Sequence, residues 1–264
     1  MSKQHGTCEY SNYQQLAGYK NIYTNYPKLR NICKYTKYSY FINSIKQQKL
    51  GFISPEKWED PYETLFYKNS KYTIFCMCTT NKAITNQDAN WHRYSDDIKS
   101  KLIRIHYSKS KLCSALDEFA SSKDCKIFIS KVEYSSREKI TAHIKTRDNS
   151  LEDYIYAMSL KRNQFSFENE IRIFLAFENH DNNLHKDDIY YINDIDYKDL
   201  ITHIQIGPHY LYKDKILMDD AYNKVQEIEY NILKKDIEKY LKNVEITRTR
   251  LYEKSDNGQP LHSK

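Results

Sequence analysis

The sequence lacks the glycine-rich and histidine-rich motifs that mark several large enzyme classes. It has five glycines and five prolines, and GxGxxG, GxxxxGKS/T, GxSxG and HExxH do not occur in it. The motifs of dinucleotide-binding Rossmann folds, P-loop nucleotide hydrolases, α/β-hydrolases and zincin metalloproteases are therefore missing. No glycine- or proline-rich linker and no internal repeat divides the chain, so the sequence predicts one domain.

Long apolar runs and CxxC pairs are missing as well. No run approaches the roughly 20 apolar residues that cross a bilayer, and residues 1–6 lack the apolar segment of a secretory signal. We therefore expect a cytoplasmic protein with no membrane partner. The six cysteines should then be reduced thiols, and their spacing supplies no zinc ligand set, so no metal is expected.

The charge pattern lacks blocks of one sign. Charged residues make up 29% of the chain and the formal net charge is +6, but lysines and arginines are scattered along it, as on an ordinary solvated surface. This balance permits an anionic partner such as nucleic acid, or a protein acceptor, without requiring either.

Apolar periodicity predicts the fold class. Residues 72–79 alternate between two apolar faces, which is typical of a central strand, and residues 170–177 are rich in β-preferring side chains. Strands and helices mix without strict βαβ alternation, which predicts an α+β fold with a mixed, mostly antiparallel central sheet and flanking helices. The predicted divisions follow: an irregular N-terminal arm (1–30), a single α+β domain (31–252) and a flexible C-terminal tail (253–264).

The sharpest candidate site is the acidic entry to the strand at 170–177. Side chains alternate along a strand, so Glu168, Glu170 and Arg172 should share one face, with the carboxylates about 7 Å apart. One carboxylate can then stabilise a developing positive charge while the other handles a proton, and Arg172 would lower their pKa values. A Glu–Arg ladder on a half-exposed strand explains the same pattern.

Three further segments carry candidate residues. Two prolines bracket a rigid turn that presents Trp58, Asp60 and Glu63, although a capping turn with Trp58 in the core has the same sequence. Trp91 and Tyr94 are one helical turn apart and could stack on a base or simply pack in the core.

A basic residue on the first predicted strand completes the candidates. Lys34 could contact a phosphate as a point charge, and Tyr35 follows it directly. Neither a lysine nor a tyrosine indicates a phosphate-binding site by its residue type alone.

Taken together, these segments resemble a widespread bacterial family catalogued as domain of unknown function twenty-nine seventy-one. The resemblance runs from about Ile32 to Leu251. Its pieces are Cys33–Tyr35, Gly51–Pro55, Trp58–Glu63, Phe75–Cys78, Trp91–Tyr94, Lys161, Phe167–Arg172, Ile204–Pro208 and Thr247–Thr249. Lys161 enters the candidate pocket through this resemblance.

The segment Glu168–Asn169–Glu170 is also similar to the Glu-x-Glu motif of ADP-ribosyltransferases. In that superfamily a basic residue on the first strand and a serine on a later strand help to hold NAD, and Lys34 and Ser54 are the corresponding residues here, with lysine in place of the usual arginine or histidine. The resemblance implies an ADP-ribosyltransferase-like fold. It also implies an NAD-consuming transferase or glycohydrolase, of the kind found among toxins and phage-defence effectors.

The same resemblance assigns roles. Glu170 would bind a ribose hydroxyl and oppose the positive charge of an oxocarbenium-like transition state, and Glu168 would orient or deprotonate the acceptor. Nicotinamide or adenine would lie between aromatic rings, for which the candidates are Tyr35, Trp91 and Tyr94. We therefore predict one cleft that contains the acidic strand entry, Lys34, Ser54 and at least one of these rings.

Two other classes of function stay open at this point. Asp60, Glu63, Glu168 and Glu170 could gather around Mg²⁺ in a metal-dependent nuclease. A non-catalytic module that binds nucleic acid or protein would instead carry Glu168 and Glu170 on an exposed, convex surface.

Overall fold

The computed structural model describes residues 12–64, 67, 71–81, 90–91, 101–146, 150–177, 188–208 and 220–249. Its thirteen strands in this part of the chain form an eleven-stranded mixed sheet and a separate two-stranded sheet. Most pairs of the large sheet are antiparallel, and helices flank it, so the α+β prediction is confirmed. None of the described helices is long and apolar enough to cross a membrane.

The strands are numbered in chain order. They are β1 Gln14–Gln15, β2 Ile22–Thr24, β3 Ile32–Lys37, β4 Leu50–Ile53, β5 Thr73–Thr80, β6 Leu102–Tyr107, β7 Cys125–Lys131, β8 Glu133–Ser135, β9 Leu160–Arg162, β10 Glu170–Phe177, β11 Ile189–Ile192, β12 Ile201–Ile206 and β13 Glu245–Arg248. The large sheet has the order β1-β2-β7-β10-β5-β3-β6-β12-β13, with β4 and β11 branching from β5, and β8 pairs with β9 in the small sheet.

The helices lie between these strands. They are α1 Tyr38–Gln47, α2 Pro61–Thr64, α3 Lys109–Lys123, α4 Arg137–Thr146, α5 Leu151–Ala157, α6 Tyr197–Leu200 and α7 Asp220–Glu238, with 3-10 helices at Pro55–Lys57 and Asn163–Glu168.

The central pair of strands separates two apolar cores. β10 pairs with β5 along its whole length, and every residue of β10 is buried. Ile171, Ile173 and Leu175 face the larger core, whereas Phe174 and Ala176 face a smaller core that α5 covers. The predicted central strand at 72–79 is β5 and has both faces buried, as its sequence indicated.

The sheet divides beside β5. β3 pairs with β5 through Cys33 and Thr80, and β4 pairs with β5 through Ile53 and Cys76. One branch continues from β3 to β6, β12 and β13, and the other consists of β4 and β11. The two branches therefore diverge along the same edge of β5 and leave an opening between them.

The predicted irregular N-terminal arm is wrong for part of its length. Residues 14–15 and 22–24 form β1 and β2, and β2 pairs in parallel with β7. Ile22 is fully buried, and the Thr24 hydroxyl donates a hydrogen bond to the carbonyl of Ile129. Strands of two and three residues are too short to show a periodic pattern, which is why the sequence did not reveal them. The predicted tail at 253–264 lies outside the described residues.

Candidate active site

The opening between the branches of the sheet is a cleft of about 760 Å³. β3 and α1 line one side, β4, β11 and the first 3-10 helix line the other, and Cys76–Cys78 of β5 lie between them. Charged residues of α2, β9 and β10 also line it. Its volume is in the range of about 300–1,000 Å³ that is usual for small-molecule sites.

Five charged side chains form what we call the buried charge cluster: Glu63, Lys161, Glu168, Glu170 and Arg172. Arg172 donates from Nε to Glu170 Oε1 and from Nη2 to Glu63 Oε1, both at 3.0 Å. The ammonium of Lys161 lies 2.6 Å from Glu168 Oε2 and 3.0 Å from Glu170 Oε2. It also lies 3.4 Å from Glu63 Oε1. All five residues are buried, so water screens these interactions weakly.

The path of the chain into β10 differs from the prediction. β10 begins at Glu170, and Glu168 ends the 3-10 helix before it. Asn169, with φ 43°, turns the chain between them, a left-handed conformation that asparagine tolerates well. Strand alternation places Glu170 and Arg172 on one face, but the turn, rather than alternation, brings Glu168 to Lys161. The two carboxylates consequently share one ammonium group instead of standing apart along a strand.

Glu170 and Lys161 are held in their ionised forms. Burial alone would raise the pKa of Glu170, but Arg172 and Lys161 lower that pKa well below its usual range. Burial alone would lower the pKa of Lys161, but Glu170 and the other carboxylates raise it above its ordinary value. Among the described residues of the cluster, three carboxylates stand against two cations, which is a formal excess of one negative charge.

Neighbouring groups fix Arg172 and Glu170 in place. The guanidinium carbon of Arg172 lies 4.2 Å from the ring centroid of Trp58, close enough for a cation–π contact. Arg172 Nη1 also donates to the carbonyl of Met158. The backbone N–H of Glu170 donates to the hydroxyl of Tyr134 at 2.8 Å. Trp58 is partly exposed and lines the cleft, so it covers the cluster on the side that a ligand would approach.

Lys34 lines the same cleft in a different electrostatic setting. It is half-buried on β3, and its side chain makes neither an ion pair nor a hydrogen bond with the part of the chain that the structure describes. Burial lowers the pKa of Lys34 below its ordinary value, and the nearby thiols of Cys78 and Cys76 offset this only in part. Lys34 is therefore a cation whose counter-charge the described protein does not supply.

The structure brings most of the predicted site residues together. Those that line the cleft are Lys34, Tyr35, Trp58, Glu63, Lys161, Glu168, Glu170 and Arg172. Tyr94 lies outside the described residues.

Ser54, Asp60 and Trp91 do not line the cleft, which corrects their predicted placement. The hydroxyl of Ser54 accepts from the backbone N–H of Glu56 and caps the first 3-10 helix. Asp60 accepts from the backbone N–H of Tyr62 and from Nε of Arg162 at 3.1 Å. Short polar side chains beside prolines often form such local bonds, so the capping interpretation of this turn is correct for both.

Trp91 is fully buried and meets Tyr35 edge-on, with ring centroids 4.8 Å apart. It packs against Gly207, where an added Cβ would lie 2.8 Å from two carbons of the indole ring and 3.0 Å from the carbonyl oxygen of Leu102. The core alternative for Trp91 is therefore correct.

This contact makes Gly207→Ala a test of how Trp91 is held. The new methyl group must displace a buried ring or the backbone of β6, and we expect a loss of about 1–3 kcal/mol in the free energy of unfolding, measured by urea titration. Gly51→Ala is the control, because its Cβ would meet the side chains of Tyr191 and Ile189 at 3.2–3.3 Å, and these are partly exposed and can move. Equal stability of the two variants would contradict the packing described for Trp91.

Sequence reasoning missed several residues of the cleft. Thr36 and Ser44 add hydroxyl groups, and Tyr40 and Tyr191 add exposed rings on opposite sides. Cys78 lies opposite Arg172 in the strand register, and its thiol is near the carboxylate of Glu170. A CxC pair on one face of β5 was visible in the sequence, but only the register of β5 with β10 shows that this face belongs to the site.

Comparison of the chain with family models, with curated proteins and with solved structures found no match. The two family resemblances noted from the sequence therefore stay predictions. Within the described residues, no group of three or more His, Cys, Asp or Glu side chains is arranged to hold a metal ion. The ammonium of Lys161 lies among the carboxylates that a metal would need.

Proposed function

We propose that the protein consumes NAD, as an ADP-ribosyltransferase or an NAD glycohydrolase. One observation carries the proposal: a single cleft joins a buried charge cluster with excess negative charge to Lys34, a cation that lacks a carboxylate partner in the described chain. A dinucleotide has both complementary parts, since its phosphates are anionic and its nicotinamide ribose becomes cationic as the glycosidic bond breaks.

The chemistry assigned to the cluster is electrostatic. Nicotinamide leaves with the electron pair of its bond to ribose C1′, and positive charge develops on the ribose. Glu170, fixed by Arg172 and Lys161, opposes this charge without needing to reorganise. C1′ then bonds to the acceptor, a side chain, a base or water, and the acceptor's proton passes to Glu168.

The aromatic roles change from those expected from the sequence. Trp58 lines the cleft and is partly exposed, so it is available to stack on a flat ring, whereas Tyr35 and Trp91 are buried against each other. The proposed site therefore uses Trp58 to stack on the ligand, and Tyr35 forms part of the cleft wall.

The geometry favours this function over the two alternatives. A nuclease would need Mg²⁺ where the ammonium of Lys161 lies. A binding module with its acidic pair on a convex surface would expose Glu168 and Glu170, which retain 4% and 3% of their surface.

The direct test is isothermal titration of the protein with NAD, together with an assay for released nicotinamide. We expect saturable binding below millimolar NAD and slow nicotinamide release even without an added acceptor. The proposal is rejected if the protein does not bind NAD at millimolar concentration and releases no nicotinamide with any candidate acceptor.

Lys34 allows a sharper test. Lys34→Met should weaken NAD binding roughly 10- to 100-fold, because a charge-assisted contact contributes about 1.5–3 kcal/mol. Stability should not fall, since the substitution removes a poorly solvated charge. Lys123→Met is the matched control, because Lys123 is exposed at the end of α3 and is not among the residues that line the cleft.

The pH dependence of binding gives the same test a second readout. Lys34 is cationic below its pKa, and burial lowers that pKa, so NAD affinity should fall with rising pH before an ordinary lysine would titrate. This decline should be absent in Lys34→Met. A decline of the same size in both proteins would assign the effect to another group.

A further inference from the structure

Two exposed tyrosines stand on opposite sides of the cleft, each with a lysine beside its ring. Tyr40 of α1 exposes 62% of its surface, and Tyr191 of β11 exposes 44%. The ammonium of Lys37 lies 5.4 Å from the ring centroid of Tyr40, and that of Lys49 lies 5.7 Å from the ring centroid of Tyr191. All four residues line the cleft, as does Lys57. We call these five residues the cleft rim.

The sheet supports the ring of Tyr191 from below. Tyr191 pairs with Gly51 in the strand register, and a Cβ added to Gly51 would lie 3.2 Å from Cε1 of that ring. The ring therefore packs over a position that has no side chain. Ile53 and Ile189, the next pair on the same face, are exposed and also line the cleft. Together these side chains form an apolar surface inside the cleft that is open to a partner.

The cleft rim is basic. Lys37, Lys49 and Lys57 belong to it, whereas Glu59 is the one carboxylate among the described residues that lines the cleft outside the buried charge cluster. Lys57 pairs with Asp188 at 3.0 Å, but both side chains are exposed, so this pair is weak in water. The rim therefore has a formal excess of positive charge, in contrast to the buried charge cluster.

We infer that the cleft rim binds a single-stranded polynucleotide. Proteins that bind single strands combine a positively charged groove along the phosphates with aromatic rings on which bases stack, and the rim has a lysine and a ring on each side of the cleft. The bases of a duplex stack on one another, so exposed rings favour an unpaired strand. An acidic peptide would neutralise the lysines but would leave both rings without a flat partner.

This inference goes beyond the proposed function and does not depend on it, because the contacts at the rim need no NAD. Binding of a strand in the absence of NAD therefore tests the inference alone. A protein that binds the strand but neither binds NAD nor releases nicotinamide would retain the inference and lose the proposed function.

The test is fluorescence anisotropy without NAD, using labelled oligothymidine as DNA and oligouridine as RNA. A length of about 12 nucleotides is within the site sizes of known single-strand binders. The wild-type protein should bind at least one of the two saturably at roughly 50 mM salt. Contacts of the three rim lysines with phosphates should make log K fall against log salt with a slope of about −2.

The tyrosines are tested by removing each ring. Tyr40→Leu and Tyr191→Leu should each weaken binding roughly 5- to 150-fold, the usual effect of losing one stacked base. Tyr40→Phe and Tyr191→Phe keep the rings and should bind as the wild type does. Both positions are exposed, so all four variants should fold.

The lysines are tested through the salt dependence. The double variant Lys37→Met with Lys49→Met should bind more weakly, with a slope reduced to about −0.7. The control is Lys123→Met with Lys139→Met, which removes the same charge at exposed positions that do not line the cleft. This control should keep the wild-type slope.

Three results would overturn the inference. The first is that neither single strand binds saturably at low salt. The second is that both leucine variants bind as tightly as the wild type, because the rings would then contact no base. The third is that a duplex of the same length or polyglutamate binds as tightly as the single strands, which would assign the rim to another class of partner.

Discussion

Arg172→Met should lower the melting temperature by roughly 6–20 °C. Removing one partner of a buried ion pair costs about 3–5 kcal/mol, and each kcal/mol shifts the melting temperature of a protein of this size by about 2–4 °C. The substitution leaves Glu63, Glu168 and Glu170 with Lys161 as their only cation in the cluster. Circular dichroism during heating measures the effect.

The matched control is a lysine in an exposed pair. Lys234 lies 3.9 Å from Glu238 on α7, and both side chains are exposed, so Lys234→Met should change the free energy of unfolding by less than about 1 kcal/mol. If the melting temperatures of Arg172→Met and Lys234→Met both equal that of the wild type, the cluster does not stabilise the fold.

Glu170→Gln should reduce nicotinamide release by roughly 100- to 1,000-fold, the usual cost of removing one well-placed electrostatic stabiliser. The fold should suffer less than in Arg172→Met, because Glu63 and Glu168 still balance Arg172 and Lys161. Both oxygens of Glu170 accept from cations, so a measurable loss of stability is expected beside the loss of rate.

Glu59→Gln tests whether the loss of rate is specific to the buried charge cluster or follows the removal of any negative charge that lines the cleft. Glu59 also lines the cleft but is exposed, so its replacement should leave the rate close to that of the wild type. A large drop in the melting temperature of Glu170→Gln with an unchanged rate would show that Glu170 only supports the fold.

The sequence predicted the central strands because their patterns are local. The apolar alternation of β5 and the pairing of Glu170 with Arg172 on one face of β10 depend only on neighbouring residues. Lys161 was found through a family resemblance, since no periodicity singles out a lysine on a three-residue strand. The contact of Glu63 with Arg172 joins residues 109 positions apart, and no pattern in either segment encodes it.

The predictions that failed did so for local reasons. Ser54 and Asp60 are residue types that suit a ligand site, but the same oxygens cap the turns that follow them. The left-handed turn at Asn169 brings Glu168 to the site. A pattern that assumes a regular strand does not include such a turn. In each case a hydrogen bond or turn within a few residues determined where the side chain lies.

The order of the strands has a consequence for how the chain folds as it is synthesised. β5 lies between β10 on one side and β3 and β4 on the other, and the Thr79 hydroxyl bonds a carbonyl 92 residues further along the chain. The edge of β5 that pairs with β10 therefore stays unpaired until β10 has left the ribosome. Such non-local pairing slows folding and exposes an aggregation-prone edge in the nascent chain.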